Sequence, residues 1–125
     1  MAVISEPDAG EALDLRVLAQ LAAIQRNGRP GFMDQVIALF LQTAPSLIKD
    51  LELASGSDDA SALHRASHTL KPCSAAVGAL FLAALCEALE ALARSGSVPN
   101  PIAEVTAIAE EYKRVEAALQ VAVTR

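Results

Sequence analysis

Apolar residues recur at intervals of three and four positions through most of this chain, and that spacing restricts its fold more than any other feature. Five segments carry the pattern, at residues 17–24, 33–51, 63–77, 81–92 and 102–119. An apolar stripe with a period near 3.6 residues is typical of an amphipathic α-helix, whereas a half-buried strand would alternate at every second residue. The sequence therefore predicts five helices and an all-α fold.

The composition agrees with thin, closely packed helices in a single domain. Hydrophobic residues make up 53% of the 125 positions, and much of that share is Ala and Leu, which are strong helix formers. Only 3% of the residues are aromatic. The net charge of -5 argues against binding nucleic acid or an anionic membrane through bulk electrostatics.

Clusters of turn-forming residues separate the periodic segments, at 27–31, 55–59 and 95–97. Asp14 is placed to cap the first helix, and either Ser57 or Asp58 is placed to cap the third. Pro45 falls inside the second helix and should bend it. Four long helices with short connections predict an antiparallel up-down four-helix bundle, and the additional short N-terminal helix should lie across one end.

The chain divides into two parts and carries no targeting pattern. Residues 1–12 show little periodicity, so we expect a flexible lead-in or linker there and the bundle domain over 13–125. Without a secretory signal or a long apolar run, we expect a cytoplasmic protein with no membrane insertion. Cys73 and Cys86 fall on or beside apolar faces and are expected to be reduced core thiols. A bundle that satisfies its own apolar stripes is expected to be a monomer.

His68 is the side chain that the helical pattern sets apart from the core. The apolar stripe of its helix is formed by Leu63, Ala66, Leu70, Cys73 and Val77. At about 100° per residue, His68 projects roughly 180° from the centre of that stripe. A structural core histidine would lie on the stripe, so His68 is predicted to face solvent and to be available to a partner.

The predicted surroundings of His68 combine positive charge with low bulk. His64 and Lys71 lie on one side of it and Arg65 and Pro72 on the other, while Ala75 and Ala79 continue the same face. Imidazole ordinarily titrates near pH 6.5, which makes it a good nucleophile near neutrality. The ammonium group one turn away can balance the charge of a transferred phosphoryl group. No second nucleophile is needed if a partner supplies the metal and the phosphoryl donor.

His64 and His68 also have the four-residue spacing that can bind zinc on one helix face. No further Cys, His or clustered acid completes a site on that helix. We therefore predict no metal site in this chain, and we interpret His64 as a flanking, solvated histidine.

These motifs resemble the histidine-containing phosphotransfer (HPt) domain of bacterial multistep phosphorelays. The family pattern is His-x-Leu-Lys-Gly, then small residues and a Gly, then a helix with Cys-x-x-Leu-Glu. This chain matches the pattern at His68, Leu70, Lys71, Ser74, Ala75, Gly78, Cys86, Leu89 and Glu90. The segment 32–53 also looks like the long second helix of the family, and the resemblance covers roughly residues 13–120.

The resemblance implies a phosphorelay protein in two-component signal transduction. His68 would be the phosphorylated residue, Lys71 would stabilise the phosphohistidine, and Glu90 would hydrogen-bond and orient the imidazole. Arg94, one turn beyond Glu90, would add positive charge at the rim, although the two residues could also form an ordinary exposed i,i+4 pair.

The partner implied is the receiver domain of a response regulator and/or a hybrid sensor kinase, and that receiver would hold Mg²⁺. This chain itself would bind no cofactor. Since the sequence has no Gly-rich ATP loop or Walker motif, the prediction is a phosphocarrier rather than a kinase.

Pro72 departs from the family pattern, which usually has Gly at that position. Proline lacks the N–H that would bond the carbonyl of His68, and its ring crowds that same carbonyl. Because the apolar stripe keeps its phase through Cys73 and Val77, we expect a kink rather than two separate helices. The substitution puts close receiver docking in doubt, and it supports an alternative: an HPt-fold docking module that binds a receiver or another regulatory protein without efficient phosphotransfer.

Overall fold

The computed structural model describes residues 12–124, with side chains to residue 122, and every regular element in that range is an α-helix. The helices are α1 (Leu15–Arg26), α2 (Phe32–Gly56), α3 (Ala60–Ala76), α4 (Leu80–Arg94) and α5 (Pro101–Thr124). The predicted all-α fold is confirmed. The predicted lead-in lies outside the described residues except for Ala12, which is buried in the core rather than loose.

Helices α2 to α5 form the antiparallel four-helix bundle that the short connections predict. Each of α3 and α5 packs against both α2 and α4, so the four helices close around one core. The centre of that core is made of fully buried aliphatic side chains, among them Leu51, Leu63, Leu70, Leu89 and Ile108. None of the helices in residues 12–124 is long and apolar enough to cross a membrane.

Helix α1 lies across one end of the bundle and is fixed at both of its ends. The N–H of Asp14 donates to the carbonyl of Gly78, in the turn between α3 and α4, at 2.7 Å. At the other end of α1, the side-chain oxygen of Gln25 accepts from the N–H of Met33, in the first turn of α2, at 2.8 Å. The short N-terminal helix therefore bridges the α3–α4 turn and the start of α2.

The helix caps agree with the sequence at α1 and differ at α3. Asp14 accepts from the N–H of Arg16 and caps α1, as predicted. The cap of α3 is Asp59, whose side chain accepts from the N–H of Ala62, so the prediction of Ser57 or Asp58 is wrong. Asp58 has a left-handed backbone with φ 55, which does not suit the extended conformation of an N-cap.

Three apolar residues of the predicted stripes are largely exposed. Ile102 is 62% exposed, which corrects its assignment to the buried face of α5, and Ile24 and Phe81 are 41% and 50% exposed. Ile102 and Phe81 each lie in the first turn of a helix, and Ile24 lies in the last turn of one. Periodicity identifies the inward face of a helix, but it does not show where the neighbouring helices stop covering that face.

Helix α3 runs through Pro72 without a break. The helix is continuous from residue 60 to residue 76, which confirms that Pro72 does not separate two helices. Pro45 lies inside α2 in the same way. His68 is therefore held on a single helix whose last turns include a residue that cannot donate a backbone hydrogen bond.

Candidate functional site

His68 lies on the solvent-facing side of α3, as the helical pattern predicts. Its side chain is 65% exposed, while the adjacent Ser67 is fully buried. The hydroxyl of Ser67 donates to the carbonyl of Leu63 at 2.7 Å, so its polar atom is satisfied within the helix. The imidazole thus projects from a firmly packed part of the bundle.

The carboxylate of Glu90, on α4, holds the imidazole from the side. Nδ1 of His68 lies 2.6 Å from Oε2 of Glu90, which is only 3% exposed. The other oxygen of the same carboxylate, Oε1, lies 2.9 Å from Nζ of Lys71. One buried carboxylate therefore fixes two exposed or half-exposed groups of α3 against α4.

Two further basic side chains lie near the same carboxylate, at longer distances than His68 and Lys71. The guanidinium of Arg94 is 3.5 Å from Oε2 of Glu90, and Nε2 of His64 is 3.9 Å from it. The rings of His64 and His68 are nearly parallel, 7° apart, with centroids separated by 5.9 Å. Since Glu90 is buried, the alternative that it forms an ordinary exposed pair with Arg94 is wrong.

The electrostatics of this cluster keep Glu90 ionised. Hydrogen bonds from Lys71 and His68 lower the pKa of the Glu90 carboxyl to about 2, although its burial acts in the opposite direction. An ionised carboxylate can only accept hydrogen bonds, so the proton in the 2.6 Å contact belongs to Nδ1 of His68. In the neutral ring, the lone pair is then on Nε2, the nitrogen that Glu90 does not hold.

Arg65, Pro72 and Ala75 lie on the exposed surface of α3, but none of them joins the Glu90 cluster. The guanidinium of Arg65 donates instead to the hydroxyl of Ser61, one turn earlier, at 3.0 Å. The exposed positions of these three residues agree with the prediction from the helical wheel.

Ala79 is not part of the exposed face, and its prediction as a surface residue is wrong. It is fully buried and stands as the N-cap residue of α4. The helical phase of α3 ends at Ala76, and Gly78 adopts a left-handed backbone with φ 82, so the wheel cannot be extended to residue 79. The turn redirects the chain and points Ala79 into the core.

An apolar groove lies between α2 and α3 and includes Pro72, one turn of α3 after His68, and the sequence does not reveal it. The groove has a volume of about 500 Å³ and is lined by Val36, Leu39, Phe40, Thr43, Pro72, Cys73 and Ala76. Leu39 is the exposed large hydrophobic residue of its lining, with 63% of its surface accessible. A groove between two helices depends on their packing, and the only hint in the sequence is an apolar residue off the stripe of α2.

Comparisons with known proteins agree with one another. The family model described as the Hpt domain matches residues 35–118. Histidine-containing phosphotransfer protein 2 of Arabidopsis thaliana is 27% identical over 104 residues, which cover 81% of this chain and 67% of that protein.

Two solved structures extend the similarity to three dimensions. HptB of Pseudomonas aeruginosa PAO1, a histidine-containing phosphotransfer protein, superposes with a TM-score of 0.77 at 28% identity and covers 87% of this chain and 91% of its own. ZmHP2 of maize superposes with a TM-score of 0.82 at 24% identity, covering 94% of this chain and 86% of its own, and shows the shared fold.

Proposed function

The chain belongs to the Hpt domain family, and on that premise we propose that it relays phosphoryl groups between receiver-domain aspartates through His68. Its function is histidine phosphotransfer in two-component signalling. The observation that supports His68 as the acceptor is its contact with Glu90, because that contact leaves Nε2 free on an exposed ring.

The transfer step follows from this arrangement. The lone pair of Nε2 attacks the phosphorus of an aspartyl phosphate on the receiver, the N–P bond forms, and the P–O bond to the aspartate breaks. The aspartate leaves as a carboxylate, and the imidazole ring gains positive charge. Nδ1–H of His68 continues to donate to Glu90, whose negative charge stabilises the charged ring. The reverse sequence of bonds delivers the phosphoryl group to a second receiver.

Lys71 supplies positive charge close to the reacting nitrogen. Its ammonium group is anchored by Oε1 of Glu90 at 2.9 Å, one turn along α3 from His68. An ammonium has three donors, so a group that contacts Glu90 retains two for phosphoryl oxygens. We assign Lys71 to stabilising the phosphohistidine and Arg94 to adding charge at the rim.

The partner supplies the rest of the chemistry. Hpt proteins interact with receiver domains, and we place the reaction with a receiver of a response regulator and/or a hybrid sensor kinase in the cytoplasm. The receiver would hold Mg²⁺ through carboxylate oxygens, which are the ligands that this ion prefers. We assign no cofactor to this chain and treat it as a monomeric phosphocarrier rather than a kinase.

A second candidate function is a docking module of the same fold that binds a receiver without efficient phosphotransfer. Pro72 favours it, since this residue withholds a hydrogen bond from the carbonyl of His68 itself. Pro72 also lines the apolar groove between α2 and α3, where a partner side chain could bind.

The deciding experiment is phosphorylation with phosphoramidate, a small donor to imidazole, and separately with a phosphorylated receiver domain and Mg²⁺. The chain has only two histidines, so His68→Gln and His64→Gln form a matched pair. The relay function predicts an acid-labile, alkali-stable phosphate on wild type and on His64→Gln but not on His68→Gln. Receiver binding without any such phosphate would support the docking module instead.

A further inference from the structure

Positive charge is concentrated on one helix of a chain that is acidic as a whole. The net charge is -5, yet no Asp or Glu occurs between Asp59 and Glu87. Helix α3 lies entirely within that interval and carries Arg65, Lys71 and both histidines. The helix that presents the phosphorylatable imidazole is therefore positively charged, whereas the molecule as a whole is negatively charged.

A groove between α3 and α4 collects part of this charge beside the site. It has a volume of about 380 Å³ and is lined by Ala60, Ser61, His64, Arg65, Ala93, Arg94 and Gly96. None of these lining residues is acidic, and all of them except His64 and the two arginines are small. A partner side chain can thus reach the two guanidinium groups without displacing bulky neighbours.

The two arginines of the groove differ in whether they already form an ion pair within the protein. Arg94 is 3.5 Å from Glu90, which also holds Lys71 at 2.9 Å. Arg65 is exposed, donates to the neutral hydroxyl of Ser61, and forms no ion pair among the residues that the structure describes. Its guanidinium also borders a second cavity lined in part by Asp50 and Asp59, but it is paired with neither of them. The bond to Ser61 holds the guanidinium along the groove.

We propose that this groove, with Arg65 as its main cation, docks an acidic segment of the partner receiver domain. The inference rests on the proposed function, which brings a receiver aspartate to His68. A receiver that holds Mg²⁺ beside its aspartate needs further carboxylates around that site, so the surface it presents is acidic. Opposite charges on the two faces raise the rate of encounter and fix the orientation of the complex.

Arg65 acts here as a specificity residue and not as a catalytic one. It contacts neither Glu90 nor the imidazole, so its contribution is to the second-order rate at low receiver concentration. A receiver with neutral or basic residues at the matching position is disfavoured, because the exposed guanidinium would then lie against an uncharged or like-charged surface.

The test compares wild type, Arg65→Glu and Lys113→Glu in phosphotransfer with a receiver domain. The receiver is the one that exchanges phosphate fastest with wild type when every receiver domain of the source genome is assayed. Lys113 is an exposed residue of α5, which packs against α2 and α4, so its reversal changes the net charge equally at a distant place. Phosphotransfer rates are measured at receiver concentrations below and above those that saturate the protein. Each is measured at low ionic strength and at about 1 M salt, where the Debye length is about 3 Å. Thermal unfolding verifies that each variant is folded.

Arg65→Glu is expected to lower the second-order rate roughly tenfold at low ionic strength, with a smaller change at saturation. The deficit should close at high salt, and Lys113→Glu should stay close to wild type. Equal rates for the two variants at low ionic strength, with wild type active, would overturn the docking site and leave the relay function standing. Failure of wild type to exchange phosphate with any receiver would overturn both.

Discussion

Glu90 binds His68 through one carboxylate oxygen and Lys71 through the other, at 2.6 and 2.9 Å. This geometry links the orientation of the nucleophile to the position of the nearest cation. Both α3 groups depend on a single buried residue of α4, so a change at Glu90 disturbs the imidazole and the ammonium together.

Replacing Glu90 by Ala should release the imidazole ring from its fixed tautomer. In wild type the carboxylate accepts from Nδ1–H and leaves the lone pair on Nε2, and without it the neutral ring populates both tautomers. We expect phosphorylation by phosphoramidate to slow by roughly ten- to a hundredfold, as for other histidines that lose an orienting partner. Ring ¹⁵N chemical shifts at neutral pH should show protonated Nδ1 in wild type and a mixture in the variant. An unchanged tautomer in Glu90→Ala would contradict the role of Glu90.

The free energy of unfolding should fall at acidic pH because Glu90 loses its charge. Its carboxyl pKa is lowered from 4.5 to about 2 by hydrogen bonds from Lys71 and His68. A group with a lowered folded-state pKa stabilises the fold fully above its unfolded value, and that contribution is lost as the pH falls from about 4.5 toward about 2. Glu90→Gln has no titrating group there, and its amide offers only one acceptor oxygen to two donors.

Urea unfolding of wild type and Glu90→Gln at a series of pH values would measure this effect. The wild type should be the more stable at neutral pH, and the difference between the two proteins should shrink across the acidic interval. A difference in the free energy of unfolding that stays constant down to pH 2 would show that the contacts with Lys71 and His68 do not lower the pKa of Glu90.

Pro72→Ala should stabilise the protein by about 1–3 kcal/mol. Alanine restores the N–H that bonds the carbonyl of His68 and removes the crowding of the ring, although it also loosens the unfolded chain. Pro45→Ala in α2 is the matched control, because Pro45 is likewise an exposed proline inside a long helix. Both variants should unfold at higher urea concentration. Destabilisation by Pro72→Ala alone would mean that the proline ring contributes packing that outweighs the lost hydrogen bond.

Gly78→Ala should destabilise the protein more than the same change at Gly96. Both glycines have left-handed backbones, with φ 82 and 93. A Cβ at residue 78 would lie 3.0 Å from the carbonyl oxygen of Asp14 and 3.1 Å from Cβ of Val17, whereas a Cβ at residue 96 meets nothing within 4 Å. The conformation alone costs about 1–2 kcal/mol, and the contact with α1 should add about as much at residue 78. Equal free energies of unfolding for the two variants would show that α1 moves away from residue 78 without a loss of stability.

The two cysteines should differ sharply in reactivity. Burial raises the pKa of the Cys86 thiol to about 12, so it stays protonated and inaccessible at pH 8. Cys73 is half-buried at the apolar groove. A disulfide reagent should therefore label one thiol in the folded protein and the second only after unfolding. Cys73→Ala should abolish labelling of the folded protein, and rapid labelling of that variant would contradict the burial of Cys86.

Helical periodicity and local capping chemistry were sufficient to predict most of the fold. The exposed position of His68 and the cap at Asp14 both depend on short-range geometry, which a sequence encodes directly. The errors lie where a helix begins or ends. Ala79 falls on the exposed face only if the phase of α3 is extended past its last turn. Asp59, rather than Ser57 or Asp58, is the cap because a left-handed residue at Asp58 shifts the start of α3.

The chemistry of the site was less accessible from the sequence than its location. The contact between Glu90 and the imidazole follows from the family pattern, but the burial of that carboxylate depends on how α3 and α4 pack. The same packing turns Lys71 toward Glu90, which a helical wheel of α3 alone cannot show. The apolar groove at Leu39 and the basic groove at Arg65 likewise exist only between helices.

The bond from Asp14 to Gly78 has a consequence for the order in which the protein folds. Contacts between successive bundle helices are close in sequence and form quickly, whereas this bond closes a loop that contains all of α1, α2 and α3. Helix α1 should therefore dock onto this turn only after α3 and α4 have paired and Gly78 has taken its left-handed shape. In hydrogen exchange, the amide of Asp14 would then open in a local fluctuation well before the amides at the centre of the bundle.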